Sequence, residues 1–306
     1  MELYALEVLS KVAAERSFSR AAEKLYRTQP AVSLAIQRLE AELGERLIDR
    51  GGRQVLLTDA GQLVLGYARR FENLAAELRN ALAELHDHAA GTLVIGANES
   101  ATLYLLAHIT AYRRLYPRIK VQVRRSLSSR IPSELLDGNL ELGVVSYDPR
   151  DDRLVSRHLF TDHLAFIVSP HHHLARRASV SIRDLGLETF IAHNVVSPYR
   201  EVVLRAFRRY KVPLNMSVEM PTVESIRKLV QRNEGVAFLP RMCVQQEIEQ
   251  KRVCEVRVRE LKVVRQIRLL YPSRRTLTRA ARAFLDLVRG RRASTADRGE
   301  GGHGHY

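Results

Sequence analysis

The sequence has no run approaching the ~20 consecutive apolar residues that a membrane-spanning helix needs, which excludes a transmembrane protein. Its first residues also lack the basic-then-apolar order of a secretory signal. Cysteine is scarce, with only Cys243 and Cys254 in the chain. We therefore expect a cytoplasmic protein without contact to a membrane.

Recognisable catalytic motifs are lacking as well: we find no nucleophile–base pair, phosphate-binding loop or metal-ligand motif. His171, His172 and His173 are expected to form an exposed loop, because consecutive loop residues lack a fixed ligand geometry and no Cys or acidic partner is spaced for zinc. Cys243 and Cys254 have no electropositive motif around them, so we expect packing rather than redox sensing. The chain is predicted not to be an enzyme and to need no metal or cofactor.

Acidic residues are in deficit, since 49 Lys and Arg stand against 34 Asp and Glu, a net charge of +15. Such an excess favours polyanionic partners, because neutralising phosphates releases counterions. However, residues 1–90 carry 12 basic and 13 acidic residues, so the excess lies further along the chain. A length of 306 residues with 45% hydrophobic residues suits two or three domains. A DNA-binding surface must therefore be argued from local motifs.

The N-terminal segment predicts three helices. Its first apolar positions recur about one helical turn apart and indicate a scaffold helix that ends near residue 16. These positions are Leu3, Leu6, Leu9 and Val12. Ser19 is expected to be the N-cap of a short second helix, followed by a tight turn at Tyr26-Arg27. Thr28 is expected to cap a third helix that reaches about Leu43, with Pro30 in its first turn.

The third helix has one apolar face and one polar face. The polar face carries Gln29, Ser33 and Gln37 at a spacing of four. A short helix, a tight turn and a polar-faced helix make a helix-turn-helix, whose second helix enters the major groove of DNA. Each polar residue alone is better explained by a solvated helix face, and only the whole pattern favours DNA. Residues 47–57 then predict a hairpin, or wing, with Arg50 and Arg53 beside its glycine tip, where they can contact phosphates or the minor groove.

A long helix is predicted from Thr58-Asp59 to about His86, with an apolar a/d seam over about three heptads. The seam residues that we assign to dimerisation are Val64, Tyr67, Phe71, Leu74, Leu78 and Leu85. Packing against its own domain is the alternative for so short a seam.

From Thr92 onward short apolar strands alternate with helices, which is typical of parallel α/β architecture. The predicted strands are 93–97, 119–124, 142–145, 163–168, 189–192, 236–239 and 266–270.

Several motifs occur in an order that chance rarely produces. They are Ser17-Phe18-Ser19-Arg20-Ala21-Ala22, Thr28-Gln29-Pro30-Ala31-Val32-Ser33, Leu43-Gly44, Leu57-Thr58-Asp59-Ala60-Gly61, Gly91-Thr92, Leu115-Tyr116-Pro117 and Gly138-Asn139-Leu140-Glu141-Leu142-Gly143. On these motifs the chain resembles the LysR-type transcriptional regulators. The resemblance implies an α+β multi-domain fold with an N-terminal winged helix-turn-helix, a long linker helix and a C-terminal two-lobed α/β effector domain similar to periplasmic solute-binding proteins.

The resemblance also implies domain boundaries. The winged helix-turn-helix would span residues 1–58, the linker and dimerisation helix 59–90, the effector domain 91–290 and a disordered tail 291–306. Lobe I would comprise about 91–160 and 266–290, and lobe II about 161–265. Gln29 and Pro30 would approach base edges, while Ser33, Arg50 and Arg53 would hold the DNA backbone. With their neighbours, the predicted DNA-binding residues are Ser19, Arg27, Thr28, Gln29, Pro30, Ser33, Gln37, Arg50 and Arg53.

An effector is expected between the lobes, since ligands of open α/β sheets gather beyond the carboxyl ends of the strands, where helix N-termini offer free donors. The predicted effector-binding residues are Asn98, Ser100, Thr102, Ser126, Ser128, Ser146, His193 and Thr222. Each hydroxyl alone is better explained by helix capping, and only the agreement of the group with the family's cleft favours a ligand. An anion would suit such donors, but Glu99 at the mouth could repel an anion, bind an amine or face water, so the ligand class stays open.

The patterns and the resemblance together predict a DNA-binding regulator of transcription that assembles as a homodimer or homotetramer and binds double-stranded DNA and a small-molecule effector. The resemblance also implies RNA polymerase as a partner. Two alternatives remain. One is a solute-binding or enzymatic α/β domain whose N-terminal helices only mediate assembly, and the other is a constitutive DNA-binding protein with a vestigial cleft. Gel shifts with and without candidate metabolites distinguish the three.

Overall fold

The computed structural model describes residues 2–49, 55–86, 91–195 and 197–290, without the side chains of residues 77, 80, 81 and 83–86. The chain divides into two compact units. Residues 1–91 and 133–140 form the first unit, and residues 92–132 and 141–306 form the second. No helix in the described ranges is both long and apolar enough to cross a bilayer.

The first unit consists of helices with a small hairpin. Its elements are α1 (Leu3–Glu15), α2 (Phe18–Lys24), α3 (Gln29–Leu43), β1 (Ile48–Asp49), β2 (Leu56–Leu57) and α4 (Asp59–His86). The two strands pair antiparallel with Ile48 opposite Leu57, which confirms the predicted hairpin. Its tip, with Arg50 and Arg53, lies outside the described residues.

The core of the first unit forms where α1, α2 and α3 bring their apolar faces together. The buried side chains include Leu6, Leu9, Val12, Ala21, Ala22, Val32, Ile36 and Leu39. The two alanines of α2 leave room for the neighbouring helices to approach closely, as dense packing requires. The predicted apolar stripes of α1 and α3 are therefore confirmed as the faces that hold these helices together.

Ser17, and not Ser19, is the N-cap of α2. The backbone at Ser17 is extended, and its Oγ accepts a hydrogen bond from the Arg20 N–H at 3.4 Å. The prediction for Ser19 was wrong by two residues: Ser19 lies in the first turn of α2, where its side chain is exposed. Both serines satisfy the residue preference for a cap, and only the backbone conformation chooses between them.

The start of α4 is fixed by two local contacts. Thr58 Oγ1 accepts a hydrogen bond from the Gly61 N–H at 3.0 Å, which confirms the predicted cap. A Cβ at Gly61 would lie 2.0 Å from the Leu47 carbonyl oxygen, so only glycine fits there. Further along the helix, Leu65 and Ala68 are buried. The first part of α4 thus packs against its own unit.

The second unit alternates strands and helices. Its strands are β3 (Gly91–Ala97), β4 (Ile119–Arg125), β5 (Leu142–Val145), β6 (Leu154–Val168), β7 (Ser179–Val180), β8 (Thr189–His193), β9 (Asn215–Met220), β10 (Ala237–Pro240), β11 (Cys254–Glu255), β12 (Arg257–Val258) and β13 (Val264–Pro272). Its helices are α5 (Glu99–Leu115), α7 (Pro198–Arg209), α8 (Val223–Gln231), α9 (Gln245–Glu249) and α10 (Arg279–Val288), while α6 (Ile131–Leu136) crosses the boundary and lies mostly in the first unit. All seven predicted strands are present, and β5 alone among them has the predicted ends at both sides.

The main sheet among the described residues has the strand order β10-β6-β13-β5-β3-β4 and carries β11 beside β6. It is mixed rather than parallel throughout: β3 and β5 are parallel, whereas β13 runs antiparallel to both β5 and β6. The strand predicted at 163–168 is the second half of the 15-residue β6. Residues 154–163 pair with β13, and residues 164–168 pair with β10 and β11. One continuous strand thus pairs with different strands along its two halves.

Two separate apolar clusters flank the second half of β6. One surrounds Phe166, Phe190 and Phe207, and the other lies around Ile167 and Ile226. A further cluster packs α5 and α10 against the β3–β5 region. β8 pairs with β9 in parallel. The sequence analysis missed β9 because its burial alternates along its length, so that it contains no continuous apolar run.

Candidate nucleic-acid interface and effector cleft

The outward face of α3 carries four of the nine predicted DNA-binding residues. Gln29, Pro30 and Gln37 are exposed, and Ser33 is half-buried. On the opposite face Ile36 is fully buried. Exposed amides can donate and accept hydrogen bonds at once, which is the chemistry that reads base edges.

The turn between α2 and α3 adds residues to this face. Arg27 and Thr28 are exposed, as is the side chain of Ser19 on α2. Tyr26 is 93% exposed and has a positive φ of 53°, so the turn projects an aromatic ring with a hydroxyl into solvent. The sequence analysis placed Tyr26 in the turn but did not include it among the candidate DNA-binding residues, although an aromatic residue in a tight polar turn was the available signal. Arg38 on α3 is also exposed and was missed.

The base of the wing is tied to α3 by one carboxylate. Glu40 Oε1 accepts hydrogen bonds from the N–H groups of Leu47 at 2.9 Å and Ile48 at 3.2 Å. β1 therefore starts at a fixed position relative to α3. The predicted contacts of Arg50 and Arg53 fall outside the described residues.

The predicted seam of α4 is exposed along most of its described length. The exposed side chains are Tyr67 (53%), Phe71 (39%), Leu74 (61%) and Leu78 (60%). Leu63 and Leu82 are 64% and 47% exposed and extend this apolar stripe, which the sequence analysis missed. Val64 instead packs against the core of the first unit, and the side chain of Leu85 is not among those described.

In the second unit, several predicted effector residues meet at the end of β3. Asn98 caps α5: its Oδ1 accepts hydrogen bonds from the Ala101 N–H at 2.8 Å and the Ser100 hydroxyl at 3.0 Å. Its Nδ2 donates to Ser128 Oγ at 2.8 Å. Thr102 Oγ1 donates to the Asn98 carbonyl at 2.9 Å. These residues thus form one hydrogen-bonded group.

Ser126 and Ser146 lie at the ends of the strands beside this group. The Ser126 N–H donates to the Ala97 carbonyl at 3.0 Å, next to the end of β3. Ser146 is buried, and its carbonyl accepts a short hydrogen bond from the Tyr199 hydroxyl of α7. The sequence analysis missed Tyr199, because nothing in a helical pattern shows which distant carbonyl a tyrosine reaches.

A buried arginine lies against the first turn of α5. Arg265 Nη1 donates to Asp162 Oδ2 at 2.9 Å, and Nη2 donates to Ser100 Oγ at 3.1 Å. The guanidinium carbon lies 5.1 Å from the centre of the Tyr199 ring, within the range of a cation–π contact. Arg265 was missed because its hydrogen-bond partners are more than 100 residues away in the sequence.

His193 and Thr222 lie at the end of β8 and at the start of α8. The Val195 N–H donates to His193 Nδ1 at 3.0 Å, and His193 Nε2 lies 3.3 Å from Glu99 Oε2. Thr222 caps α8 by accepting the Ser225 N–H at 3.2 Å. Glu99 therefore does not simply face water, which was one of the three alternatives for this carboxylate.

The histidine loop has an acidic partner, contrary to expectation. His172 Nε2 and His173 Nε2 lie 3.2 and 3.1 Å from the two carboxylate oxygens of Glu188, and the side chain of His172 is only 10% exposed. The Leu174 N–H donates to His172 Nδ1 at 3.3 Å, so in the neutral ring Nε2 carries the proton and directs it at Glu188. Both histidines therefore contact the carboxylate of Glu188.

Cys243 is buried, and burial raises the pKa of its thiol to about 12. At neutral pH almost none of it is the reactive thiolate. Cys254 is half-buried in β11, and neither cysteine forms a disulfide within the described ranges. The expectation that Cys243 is a packing residue agrees with this burial.

Comparison with known proteins accounts for both units. Residues 3–62 match the family described as "Bacterial regulatory helix-turn-helix protein, lysR family", and residues 86–293 match the "LysR substrate binding domain". The chain is 32% identical over 290 residues to a probable RuBisCO transcriptional regulator of Cyanophora paradoxa, with 92% of this chain and 90% of that protein covered. These homologues are transcriptional regulators and not enzymes.

Solved structures share the fold. Full-length CbnR in complex with its target DNA is 19% identical, covers 95% of this chain and 100% of that chain, and superposes with a TM-score of 0.72. A full-length OxyR variant from Pseudomonas aeruginosa is 23% identical, covers 94% and 95% of the two chains, and has a TM-score of 0.68. Two family matches that together span most of the sequence, and a relative above 30% identity over nearly the whole chain, lead to one conclusion: the chain belongs to the LysR family of bacterial transcriptional regulators.

Proposed function

We propose that this regulator binds duplex DNA as a cytoplasmic homodimer or homotetramer and changes the activity of RNA polymerase at its promoters when a small effector binds in the second unit. The observation that carries the DNA-binding part is the outward polar face of α3. Gln29, Pro30 and Gln37 are exposed there while the opposite face is packed against α1 and α2. The outer face of a helix that is packed in this way can enter a major groove while its inner face stays in the core of the first unit.

We assign roles to the face by its chemistry. Gln29 would make paired hydrogen bonds to a base edge, with Pro30 and Gln37 beside it. Arg27, Thr28, Ser19 and Ser33 would contact phosphates, since hydroxyl and guanidinium groups position a protein on the backbone. Tyr26 joins them as an exposed hydroxyl at the turn. Arg50 and Arg53 of the wing complete the proposed set.

The proposed effector site is the group around the N-termini of α5 and α8. Asn98, Ser100, Ser126 and Ser128 would offer hydroxyl and amide groups from one side, with Thr102 behind them, and the His193 imidazole and the Thr222 hydroxyl would contribute from the other. Ser146 would close the cleft beside Tyr199. The lobes would divide near residues 160 and 265, close to the point where β6 changes partners between His163 and Leu164.

The proposed dimer pairs α4 with α4 of a second copy. The apolar stripe from Leu63 to Leu82 repeats at the three- and four-residue steps of a helical seam, and a stripe of this kind is stabilised by a matching one. Val64 is a poorer seam residue than its spacing suggests, because it packs within its own unit. Leu85 would extend the seam at its C-terminal end.

The experiment is selection of bound fragments from a library of the source genome by the purified full-length protein, followed by gel shifts with and without metabolites of the neighbouring operons. We expect one enriched, roughly palindromic sequence and a metabolite that alters its mobility or affinity. Failure to enrich any sequence over random competitor would contradict DNA recognition. Enrichment without any metabolite response would leave a constitutive DNA-binding protein.

A further inference from the structure

The carboxylate of Glu99 joins parts of the second unit that are distant in sequence. Glu99 is the first residue of α5, directly after the Asn98 cap. Its Oε1 accepts a hydrogen bond from the Val223 N–H at 2.8 Å, and its Oε2 lies 3.3 Å from His193 Nε2 and 3.7 Å from Arg125 Nη2. The side chain is 26% exposed.

The groups around Glu99 are those that hold an anion. Val223 is the first residue of α8, and the first N–H groups of a helix have no partner within the helix and sit at the positive end of its dipole. Thr222 caps α8 through the N–H of Ser225 and leaves the Val223 N–H to Glu99. The bond from the Val195 N–H to His193 Nδ1 leaves Nε2 as the ring's donor. Donors from three segments therefore converge on one carboxylate.

Glu99 also spans two packed regions. It belongs to α5, which packs in the cluster with β3 and β5, while Val223 and His193 belong to the region of β8 and α8. The chain holds the Glu99 carboxylate within hydrogen-bond distance of these donors. Its effective concentration there is therefore high, and it competes well with any free ligand for the same donors. A free monocarboxylate must in addition lose its translational freedom on binding.

We propose, resting on the proposed function of this domain, that Glu99 is a built-in ligand. Its carboxylate occupies the anion position formed by Val223, His193 and Arg125 and links the two regions. The position is thereby closed to small free carboxylates. This resolves the role of Glu99 as a specificity-determining residue of the cleft: an effector of the natural protein must bind without placing its own carboxylate at the start of α8.

The test removes the tethered carboxylate and supplies a free one. Full-length protein, Glu99→Ala, Glu99→Ser and the control Glu201→Ala are unfolded by heat in sodium acetate, sodium succinate or sodium chloride of equal ionic strength. Glu201 lies in the first turn of α7 and is exposed, which makes it a matched acid at another helix start. We expect about 20 mM acetate or succinate to raise the midpoint of both Glu99 variants by about 3 °C beyond the effect of chloride. The natural protein and Glu201→Ala should respond to all three salts alike.

Several outcomes would overturn the proposal. If the Glu99 variants fold but acetate and succinate do not raise their unfolding midpoints beyond the effect of chloride, no anion position exists. If these carboxylates raise the midpoint of the natural protein equally, Glu99 does not fill the position. Loss of folding in both variants would contradict it too, because a link between two separately packed regions is not needed to form either one. If only Glu99→Ala fails to fold, Glu99→Ser decides the matter. DNA binding is measured separately, so failure of the natural protein to bind DNA would overturn the proposed function and leave the carboxylate result standing.

Discussion

Arg265 and Asp162 lie opposite each other on β13 and β6 and form an ion pair whose side chains are only 3% and 4% exposed. Nη1 is 2.9 Å from Oδ2, and Oδ1 of the same carboxylate accepts the Met242 N–H at 3.2 Å. Two buried charges are tolerated here because each supplies the partner of the other. Removing one of them leaves the second buried and unpaired.

We therefore expect Arg265→Met to lower the free energy of unfolding by about 3 kcal/mol, and Asp162→Leu to do about the same. The double variant should lose less than the sum, since neither charge is then stranded. Urea unfolding of the four proteins measures this coupling. Arg153→Met, which removes an exposed partner of Asp151, should leave the urea midpoint almost unchanged. Strictly additive losses in the double variant would contradict a coupled pair.

The pH dependence of stability should carry a contribution from His172. Burial lowers the pKa of this ring below its usual 6.5, while Glu188 partly opposes the shift. Between 6.5 and the lower folded pKa the unfolded chain binds more protons than the folded one, so stability falls as the pH drops through that window and is fully present above it. We expect His172→Gln to weaken this loss, measured as the difference in melting temperature between about pH 5.5 and pH 7.5. The neighbouring His171→Gln is the matched control, because His171 is exposed. An unchanged pH slope in His172→Gln would remove the assignment.

The elements were largely predictable from the sequence, because apolar periodicity and caps are local properties. Thr58, the stripes of α1 and α3 and seven of the eleven strands of the second unit were found in this way. The cap at Ser17 rather than Ser19, and the alternating strand β9, were not, since two serines share one preference and an alternating strand has no apolar run. The partners of Glu99 and Arg265 could not be predicted at all. The residues that hydrogen-bond to them lie 94 to 165 positions away in the sequence, and only the complete fold brings them together.

On α3, we expect Gln29→Ala to weaken binding to the selected DNA sequence by about 1–3 kcal/mol and to leave binding to scrambled DNA unaffected. The reason is that a side-chain amide paired with a base edge discriminates among sequences, whereas phosphate contacts do not. Gel-shift titrations on both DNAs at one salt concentration measure the difference. Gln250→Ala, an exposed glutamine of the second unit, serves as the control. Equal losses on both DNAs would show that Gln29 does not read a base.

On α4, we expect Leu74→Asp to weaken self-association at least about tenfold, because a buried and unpaired carboxylate at a helix–helix seam is costly. Sedimentation velocity over a range of concentrations gives the dissociation constant. Leu187→Asp introduces the same charge at a leucine that is 98% exposed in the second unit and should not alter assembly. If Leu74→Asp associates as the natural protein does, the α4 seam is not the dimer contact.

β6 is the strand about which we expect the two parts of the effector domain to rotate. Since residues 154–163 hold β13 and residues 164–168 hold β10 and β11, any rotation of one neighbourhood against the other must be absorbed as twist along this strand and its partner, near His163. Strand backbone resists stretching but twists readily. Opening of the cleft should then be a rotation about the strand direction and not a separation of its walls, so that small movements around Glu99 become larger displacements at surfaces remote from this axis.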